Sequence, residues 1–147
     1  MILAHVGQVK NLSSAMEKYD APILPVAIAI IKDQANRYLL SRRADRKEHA
    51  GQWEFPGGKL DLAEAPAVAI DRELKEELGV TVVLRKYKLQ YFYLYPSLYV
   101  HLFVWDILKY KGSVKSMEGQ ELGWFSADEI KGIDYLAGDQ KILNLID

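Results

Sequence analysis

The amino-acid sequence predicts an α/β (α+β) fold in which a mixed β-sheet lies between helices. Two observations lead to this prediction. Segments rich in β-branched and aromatic residues recur along the chain, and turn residues separate them. Residues 64–78, between two groups of such segments, instead show the three-to-four-residue apolar spacing of a helix. With 147 residues, 50% of them hydrophobic, the chain is long enough for one domain with a substantial core.

The chain divides into an N-terminal extension, residues 1–22, and one domain, residues 23–147. Within the extension, residues 13–19 fit a short helix capped by Ser13 or Ser14. No internal repeat or low-complexity segment suggests a second domain.

The first half of the domain reads as strands and loops. The strongly apolar residues 23–31 predict a strand, and residues 37–41 are its expected hairpin partner across a turn at 32–36. A charged loop over 42–51 then leads to a short strand at 53–55, just before a glycine pair.

The second half continues with two long strands and ends with helices. Residues 81–95 and 98–109 are rich in β-branched and aromatic residues, and Pro96 and Ser97 lie at the turn between them. The remaining predicted elements are a strand at 122–125, a helix capped by Ser126 with Glu129 as its capping-box partner, and a closing helix at 139–146.

Composition excludes several classes of function. The chain has 19 Lys and Arg against 20 Asp and Glu, a balance without the basic excess that binds a nucleic-acid polymer. It has no cysteine, which excludes disulfides, zinc–thiolate sites and thiol catalysis. No apolar run approaches the length of a membrane span, and the apolar residues 1–6 are too few for a signal peptide, so we expect a cytoplasmic protein.

The 64–78 helix carries a cluster of acidic residues. Glu73, Glu76 and Glu77 are spaced i, i+3 and i+4, which places three carboxylates on one face of the helix. The apolar stripe on the other side consists of Ala67, Ile70, Leu74 and Leu78. Carboxylates that repel one another are stabilised by a divalent cation, and oxygen ligands favour Mg2+ or Mn2+ over zinc. The sequence therefore predicts a metal site built on a helix.

The helix belongs to the run GKLDLAEAPAVAIDRELKEELGV, residues 58–80. Its spacing, G-x5-E-x7-R-E-U-x-E-E-x-G-U with U aliphatic, resembles the signature of the Nudix hydrolases at every position. The resemblance implies the Nudix fold and a metal site that joins the Gly57 carbonyl to the three carboxylates. It also implies that Arg72 holds the glutamates in place, with Glu64 as a second candidate for that role.

Softer motifs narrow the resemblance to the MutT-like branch, which acts on nucleoside triphosphates. They include the segment WEFPGGK, residues 53–59, and the segment LAGD, residues 136–139. The implied reaction is attack of water on the β-phosphorus, which releases a nucleoside monophosphate and pyrophosphate. The general base is left open between Glu73 and Glu118, a glutamate in a loop after the long strands. An ordinary loop glutamate is the other interpretation of Glu118.

The candidates for substrate binding are Arg43, Phe55, Lys59 and Asp139. Lys59, beside the glycines, and Arg43 are placed to meet phosphates, although Arg43 also fits a solvated surface charge. Phe55 is a candidate to stack on the base, together with one of three strand tyrosines, Tyr91, Tyr93 or Tyr95.

Asp139 takes a position where relatives that remove 8-oxo-dGTP often have asparagine. An ionised aspartate offers only acceptors, which suits the amino group of cytosine, whereas a protonated aspartate restores the donor that an oxidised purine needs. A helix N-cap is the structural alternative for this residue.

The predicted partner is thus a small nucleotide with Mg2+, and the chain is a monomer or homodimer. Nucleotide-pool sanitising is the implied role. Two alternatives are a Nudix hydrolase of another diphosphate, such as a nucleotide sugar, ADP-ribose or a dinucleoside polyphosphate, and a non-catalytic nucleotide-sensing module.

Overall fold

A computed structural model describes residues 22–44 and 48–146 of the chain. Its seven strands are β1 (Ile23–Ile31), β2 (Tyr38–Arg42), β3 (Trp53–Glu54), β4 (Gly57–Lys59), β5 (Thr81–Tyr95), β6 (Leu98–Lys111) and β7 (Leu122–Phe125). The helices are α1 (Pro66–Leu78), α2 (Ala127–Lys131) and α3 (Gln140–Leu143), with a 3-10 turn at Ala137–Asp139. The predicted helix at 13–19 lies outside the described residues, as does the extension apart from residue 22.

The strands form two sheets. The larger has the order β4-β1-β6-β5, in which β1 runs parallel to β6 and the other pairs are antiparallel. The smaller has the order β3-β2-β7 and is antiparallel. The prediction of an α+β fold with a mixed β-sheet between helices is confirmed. Among the described residues, no helix is long and apolar enough to cross a membrane.

The predicted hairpin between residues 23–31 and 37–41 is wrong. A turn does follow β1, but β2 joins the smaller sheet, and a single bridge from Lys32 to Tyr38 links it to the end of β1. The physical reason lies in the burial of β2, because Leu39 and Leu40 point to opposite faces and both are buried. Leu39 packs under α1 and Leu40 packs in the layer on the other side, so β2 is a wedge between two core layers.

The core has two layers, and β1 contributes to both. Ala27, Ala29 and Ile31 face α1, while Ile28 and Ile30 face α2 and α3. This alternation follows from the two-residue period of a strand. The larger sheet therefore lies between helices, as the sequence predicts.

Helix α1 begins two residues later than predicted, with Pro66 at its first turn and Ala65 before it. Its buried positions include the predicted Ile70, Leu74 and Leu78, but the fourth is Ala69, and Ala67 is only partly buried. The helix ends at Gly79, whose left-handed φ of 70° lets its N–H bond to the Lys75 carbonyl.

Of three further predicted elements, two are confirmed and one is shorter than predicted. The long β5–β6 hairpin is confirmed, and β6 extends to Lys111. Ser126 caps α2 by accepting a hydrogen bond from the Glu129 N–H at 3.1 Å, as predicted. The predicted closing helix at 139–146 is shorter, because it consists of a 3-10 turn followed by four α-helical residues.

Candidate active site

The site begins where β4 meets β1 and α1. In the register of this sheet, Gly57 faces Ile28 and Gly58 faces Ala27. Gly57 has a φ of 149°, and a Cβ there would run into the Ala27 carbonyl. A Cβ on Gly58 would run into the carboxylate of Glu73 on α1. The two glycines therefore let the backbone approach both β1 and the acidic face of the helix.

Glu77 is the buried carboxylate of the cluster. Its Oε2 accepts a hydrogen bond from the Gly57 N–H at 3.3 Å. Burial raises the pKa of this carboxyl, the nearby charges of Glu73, Glu54 and Glu118 act in the same direction, and that hydrogen bond opposes them, so the pKa lies at about 8. Four carboxylates thus lie within electrostatic reach of one another around Glu77.

Glu73 and Glu76 complete the acidic face of α1. The Glu73 side chain is largely buried, and burial raises its pKa above the ordinary range, with the charges of Glu76 and Glu118 acting in the same direction. Glu76 is the exposed member, with 55% of its side chain accessible.

Arg72 holds the acidic residues in place. Its Nε and Nη2 form two bonds of 2.8 Å to the Glu64 carboxylate, which matches the fork geometry of arginine. Its Nη1 reaches Glu73 at 3.0 Å and Glu76 at 3.1 Å. Its Nη2 also donates to the Lys59 carbonyl at 3.0 Å, which ties the glycine turn to α1. This geometry supports the predicted holding role of Arg72, with Glu64 as its main partner.

Glu118 lies on the loop that faces α1. The loop is fixed by Gln120, whose side-chain amide donates to the Glu77 carbonyl at 2.9 Å and whose Oε1 accepts from the Glu118 N–H at 3.0 Å. Glu118 borders the same open cleft as Glu77, and its charge acts on both Glu73 and Glu77. The structure thus brings together both predicted candidates for the general base.

The open cleft has a volume of about 410 Å3 and charged walls. Arg43 is part of its lining, with a side chain only 22% exposed. Its Nη1 bonds to Glu54 Oε2 at 2.8 Å, and its Nε donates to the Glu48 carbonyl at 2.8 Å. The alternative of a solvated surface charge is therefore wrong for Arg43. Lys59 is exposed at the end of β4, and its contact with the site is made by its backbone carbonyl.

Asp139 lies in an apolar recess next to the cleft and is 3% exposed. Its Oδ2 accepts a hydrogen bond from the Phe55 N–H at 3.0 Å, and it makes no side-chain cap to α3, so the N-cap interpretation is wrong. Burial and the charge of Glu54 raise the pKa of Asp139, the Phe55 bond and Arg43 lower it, and the balance leaves the pKa at about 8. This buried environment favours the protonated form of the carboxyl.

Aromatic residues surround the recess. Phe55 is buried in the core layer that faces α2 and α3. Tyr91 donates its hydroxyl proton to the Gly138 carbonyl at 2.7 Å, and the Tyr95 hydroxyl accepts from the Gly138 N–H at 2.8 Å. Both tyrosines therefore fix the backbone next to Asp139. In this structure the recess is closed and leaves no room for a water molecule.

Two residues of the site carry no role in the sequence-based prediction. Glu54 precedes Phe55 in a quoted motif, but a glutamate in a two-residue strand gives no local signal of what it faces. Gln120 follows a turn glycine, and its bond to the backbone of α1 depends on a loop position that spacing does not reveal.

The donor atoms fit a hard divalent cation. Within residues 22–44 and 48–146, no group of three histidine, aspartate or glutamate side chains lies close enough together to hold a metal ion. Glu73 and Glu76 are hydrogen-bonded to Arg72 in this structure. The cluster nonetheless offers only oxygen ligands, and Glu77 is buried beside three other carboxylates. A cation would relieve that repulsion, which is the expected chemistry of a magnesium or manganese site.

Helix α1 carries the carboxylates and packs against a glycine turn in an α+β domain. Together these features define the class of the protein. Residues 22–145 match the NUDIX domain, and the chain belongs to this family. The resemblance predicted from the sequence is confirmed.

Particular relatives place the chain within the MutT group. It is 30% identical over 120 residues to the 8-oxo-dGTP diphosphatase of Escherichia coli, covering 82% of this chain and 93% of the relative. It is 32% identical over 102 residues to the CTP pyrophosphohydrolase of Escherichia coli, covering 69% and 76%. The crystal structure of a MutT NUDIX hydrolase from Burkholderia pseudomallei superposes with a TM-score of 0.77 at 25% identity, covering 86% of this chain and 99% of that one.

Proposed function

We propose that this chain is a MutT-like pyrophosphohydrolase that cleaves nucleoside or deoxynucleoside triphosphates to the monophosphate and pyrophosphate. The observation that carries this proposal is the intact carboxylate set on α1, held by Arg72 against the Gly57–Gly58 turn. It acts on the free nucleotide pool of the cytoplasm as a monomer or homodimer.

Nudix hydrolases use a divalent metal ion, and we propose Mg2+ for this chain, with Mn2+ as a substitute. The ligands are Glu73, Glu76, Glu77 and Glu118 together with the Gly57 carbonyl. A cation bound there supplies positive charge to the phosphate oxygens and lowers the pKa of water. The carboxylates of Glu73 and Glu76 are partly neutralised by Arg72, which forms an ion pair with each of them.

The reaction needs alignment and charge more than covalent chemistry from the protein. Arg43 and Lys59 contact the phosphates, and the ion pair of Arg43 with Glu54 fixes where its guanidinium points. Glu73 or Glu118 takes the proton from the attacking water. Glu118 borders the cleft beside Glu77, and the charge of Glu73 acts on Glu77 from the same helix, which supports either residue as the general base.

Asp139 distinguishes two substrate classes. Relatives of the chain include an 8-oxo-dGTP diphosphatase and a CTP pyrophosphohydrolase. A protonated carboxyl donates one hydrogen bond and accepts another, which fits the O6 and N7–H edge of an oxidised guanine. The burial that raises the pKa of Asp139 to about 8 favours that form, and hence 8-oxo-dGTP. The cytidine nucleotides, whose amino group suits the ionised form, are the second candidate.

Initial rates in Mg2+ with 8-oxo-dGTP, dGTP, dCTP, CTP and ADP-ribose test the proposal. We expect the largest kcat/KM for 8-oxo-dGTP and the smallest for ADP-ribose. Preference for CTP or dCTP would place the enzyme in pyrimidine-pool cleaning, and preference for ADP-ribose would contradict the triphosphate assignment.

A glutamate variant separates catalysis from sensing. Glu76→Gln keeps the size of an exposed side chain, and we expect it to lower kcat by at least about 100-fold because it removes a proposed ligand. Glu129→Gln, on the surface of α2, is the matched control and retains full activity. A nucleotide-sensing module would instead bind nucleotide without turnover in the wild-type protein.

A further inference from the structure

Glu54 lies at the junction between the two parts of the site. The open charged cleft contains Arg43, Glu77 and Glu118, and the apolar recess contains Phe55 and Asp139. Of the described residues that border these spaces, Glu54 is the one common to both. Its position is therefore between the phosphate-binding end and the base-binding end of the proposed site.

The electrostatic interactions of Glu54 also place it between the cleft and the recess. The Glu54 charge raises the pKa of Glu77 on the cleft side and that of Asp139 on the recess side. It also acts on Tyr95, beside the recess. A carboxylate that interacts with groups at both ends is located between them.

The backbone around Glu54 is fixed on both sides. Glu54 pairs with Ser41 in the β2–β3 ladder. Its neighbour Trp53 exchanges hydrogen bonds of 2.8 Å with the chain at Asp134 and Leu136, and the Phe55 N–H is bound by Asp139. The side chain is 24% exposed and paired with Arg43 at 2.8 Å, so its carboxylate is held in one place.

We propose that Glu54 accepts a hydrogen bond from a hydroxyl group of the substrate sugar and makes the enzyme selective for nucleotides that carry it. This inference rests on the proposed function. A nucleotide whose base displaces the closed lining of the recess at Asp139, and whose phosphates lie in the cleft, places its sugar at the junction, which is where Glu54 lies. A carboxylate has lone pairs for several donors, so it accepts a hydroxyl while it remains paired with Arg43.

A partly buried carboxylate gives selectivity for a substrate hydroxyl. When a substrate without that hydroxyl binds, the carboxylate loses this hydrogen bond, which costs binding free energy. Sites built to hydrogen-bond a substrate hydroxyl reject the analogue that lacks it, whereas sites that only enclose the sugar do not. Hydrogen bonds to a charged group correspond to roughly 10- to 100-fold in an equilibrium constant. The 2′- and 3′-hydroxyls are the two possible donors, and a deoxynucleotide has only the second.

The test compares a ribonucleotide, a deoxynucleotide and a dideoxynucleotide triphosphate that share the preferred base. For the wild-type enzyme we expect kcat/KM to fall by about 10- to 100-fold when the hydroxyl that Glu54 binds is removed. A fall between the deoxy and dideoxy forms assigns the 3′-hydroxyl, and a fall between the ribo and deoxy forms assigns the 2′-hydroxyl. Equal values for all three would overturn the proposal.

Two variants assign the selectivity to Glu54. Glu54→Met keeps the length of the side chain without its acceptors, and we expect it to process the three sugars with similar kcat/KM. Arg43→Met breaks the same ion pair but leaves the carboxylate, so it weakens all substrates together and keeps their ratio. Retention of the wild-type ratio by Glu54→Met would overturn the role of this residue.

Binding measurements separate this inference from the proposed function. Calorimetric titration of the wild-type protein with the corresponding monophosphates needs no turnover and no variant. Weaker binding of the dideoxy monophosphate by the same factor supports the sugar contact, and equal binding contradicts it. Failure of the wild-type enzyme to hydrolyse any triphosphate would contradict the proposed function while leaving the binding result to decide the role of Glu54.

Discussion

Asp139 is an acidic residue in an apolar setting. It is 3% exposed, its Oδ2 is bound by the Phe55 N–H, and the charges that face it come from Glu54 and Arg43. The hydroxyls of Tyr91 and Tyr95 lie close by on β5. The environment favours the neutral carboxyl, and this is why the residue offers a donor near pH 7.

The burial of Asp139 predicts how the stability of the protein depends on pH. Because the pKa of Asp139 rises from 3.8 to about 8 on folding, the folded protein binds its proton more tightly than the unfolded chain does. The stabilisation is complete below about pH 4 and is lost as the pH rises to about 8. We expect Asp139→Asn to be more stable than the wild type at pH 9, by at least about 1 kcal/mol, with a smaller difference at pH 5.

Denaturant titrations of the metal-free protein at pH 5, 7 and 9 measure this difference. Other groups with a raised pKa, such as Glu77, contribute to both proteins and cancel in the comparison. Asp128→Asn is the matched control, since its carboxylate is 97% exposed and its removal leaves the pH dependence unchanged. Parallel curves for the wild type and Asp139→Asn would show that the residue is ionised in the folded protein.

At the residue scale, the sequence predicts which types of side chain the site contains better than it predicts the environment of each side chain in the fold. The shared face of the α1 carboxylates follows from spacing along one helix, which is a local property. The holding role of Arg72 is implied by the resemblance to the Nudix signature, and its main partner, Glu64, lies before the helix. The state of Asp139 depends on Phe55, which is 84 residues away in sequence, so an N-cap could not be distinguished from a buried carboxyl. The position of Glu54 between the cleft and the recess likewise depends on residues that are distant in sequence, such as Glu77 and Asp139.

The contact between β4 and α1 is the element on which the site depends. Gly57 and Gly58 are adjacent, but their missing side chains meet different neighbours. At Gly57 the neighbour is the backbone of β1, and at Gly58 it is the end of the Glu73 side chain. Backbone cannot move aside without breaking the sheet, whereas a glutamate can rotate.

Alanine substitutions therefore separate folding from activity. Gly57→Ala forces an L residue to a φ of 149° and into the Ala27 carbonyl, and we expect it to lower the free energy of unfolding by about 2–4 kcal/mol. Gly58→Ala displaces Glu73 instead, so we expect about 1 kcal/mol in stability but at least a roughly ten-fold loss in kcat. Thermal or denaturant unfolding and initial rates measure both effects, and similar stability losses for the two variants would refute this distinction.

At the element scale, the success of the prediction depends on whether the signal is local. Helix α1 and the α2 cap are specified by residues within one or two turns, and both form as predicted. Pairing of β2 with β7 joins residues more than 80 positions apart. The sequence of an apolar strand does not reveal which of the two sheets it joins. The closing helix is short because residues 137–139 form a tighter 3-10 turn at Asp139, where Tyr91 and Tyr95 hold Gly138.

The whole molecule is a layered domain with its site at one end of the central sheet. In one core layer, α1 packs against the sheet, and this helix carries the acidic residues on its other face. The other layer packs α2 and α3 against it and carries Asp139. The open cleft and the recess lie next to each other, with Glu54 at their shared border. A substrate that has an anionic end and an aromatic end, as a nucleotide does, matches this division.

The central claim is that the acidic face of α1 performs metal-dependent hydrolysis of a nucleoside triphosphate. Identification of the products from 8-oxo-dGTP and CTP, with Mg2+ and again after chelation by EDTA, tests it most directly. We predict nucleoside monophosphate and pyrophosphate in equal amounts, no product after chelation, and none from Glu77→Gln. Release of orthophosphate with a nucleoside diphosphate, or no release from the folded wild-type protein in Mg2+, would contradict the account.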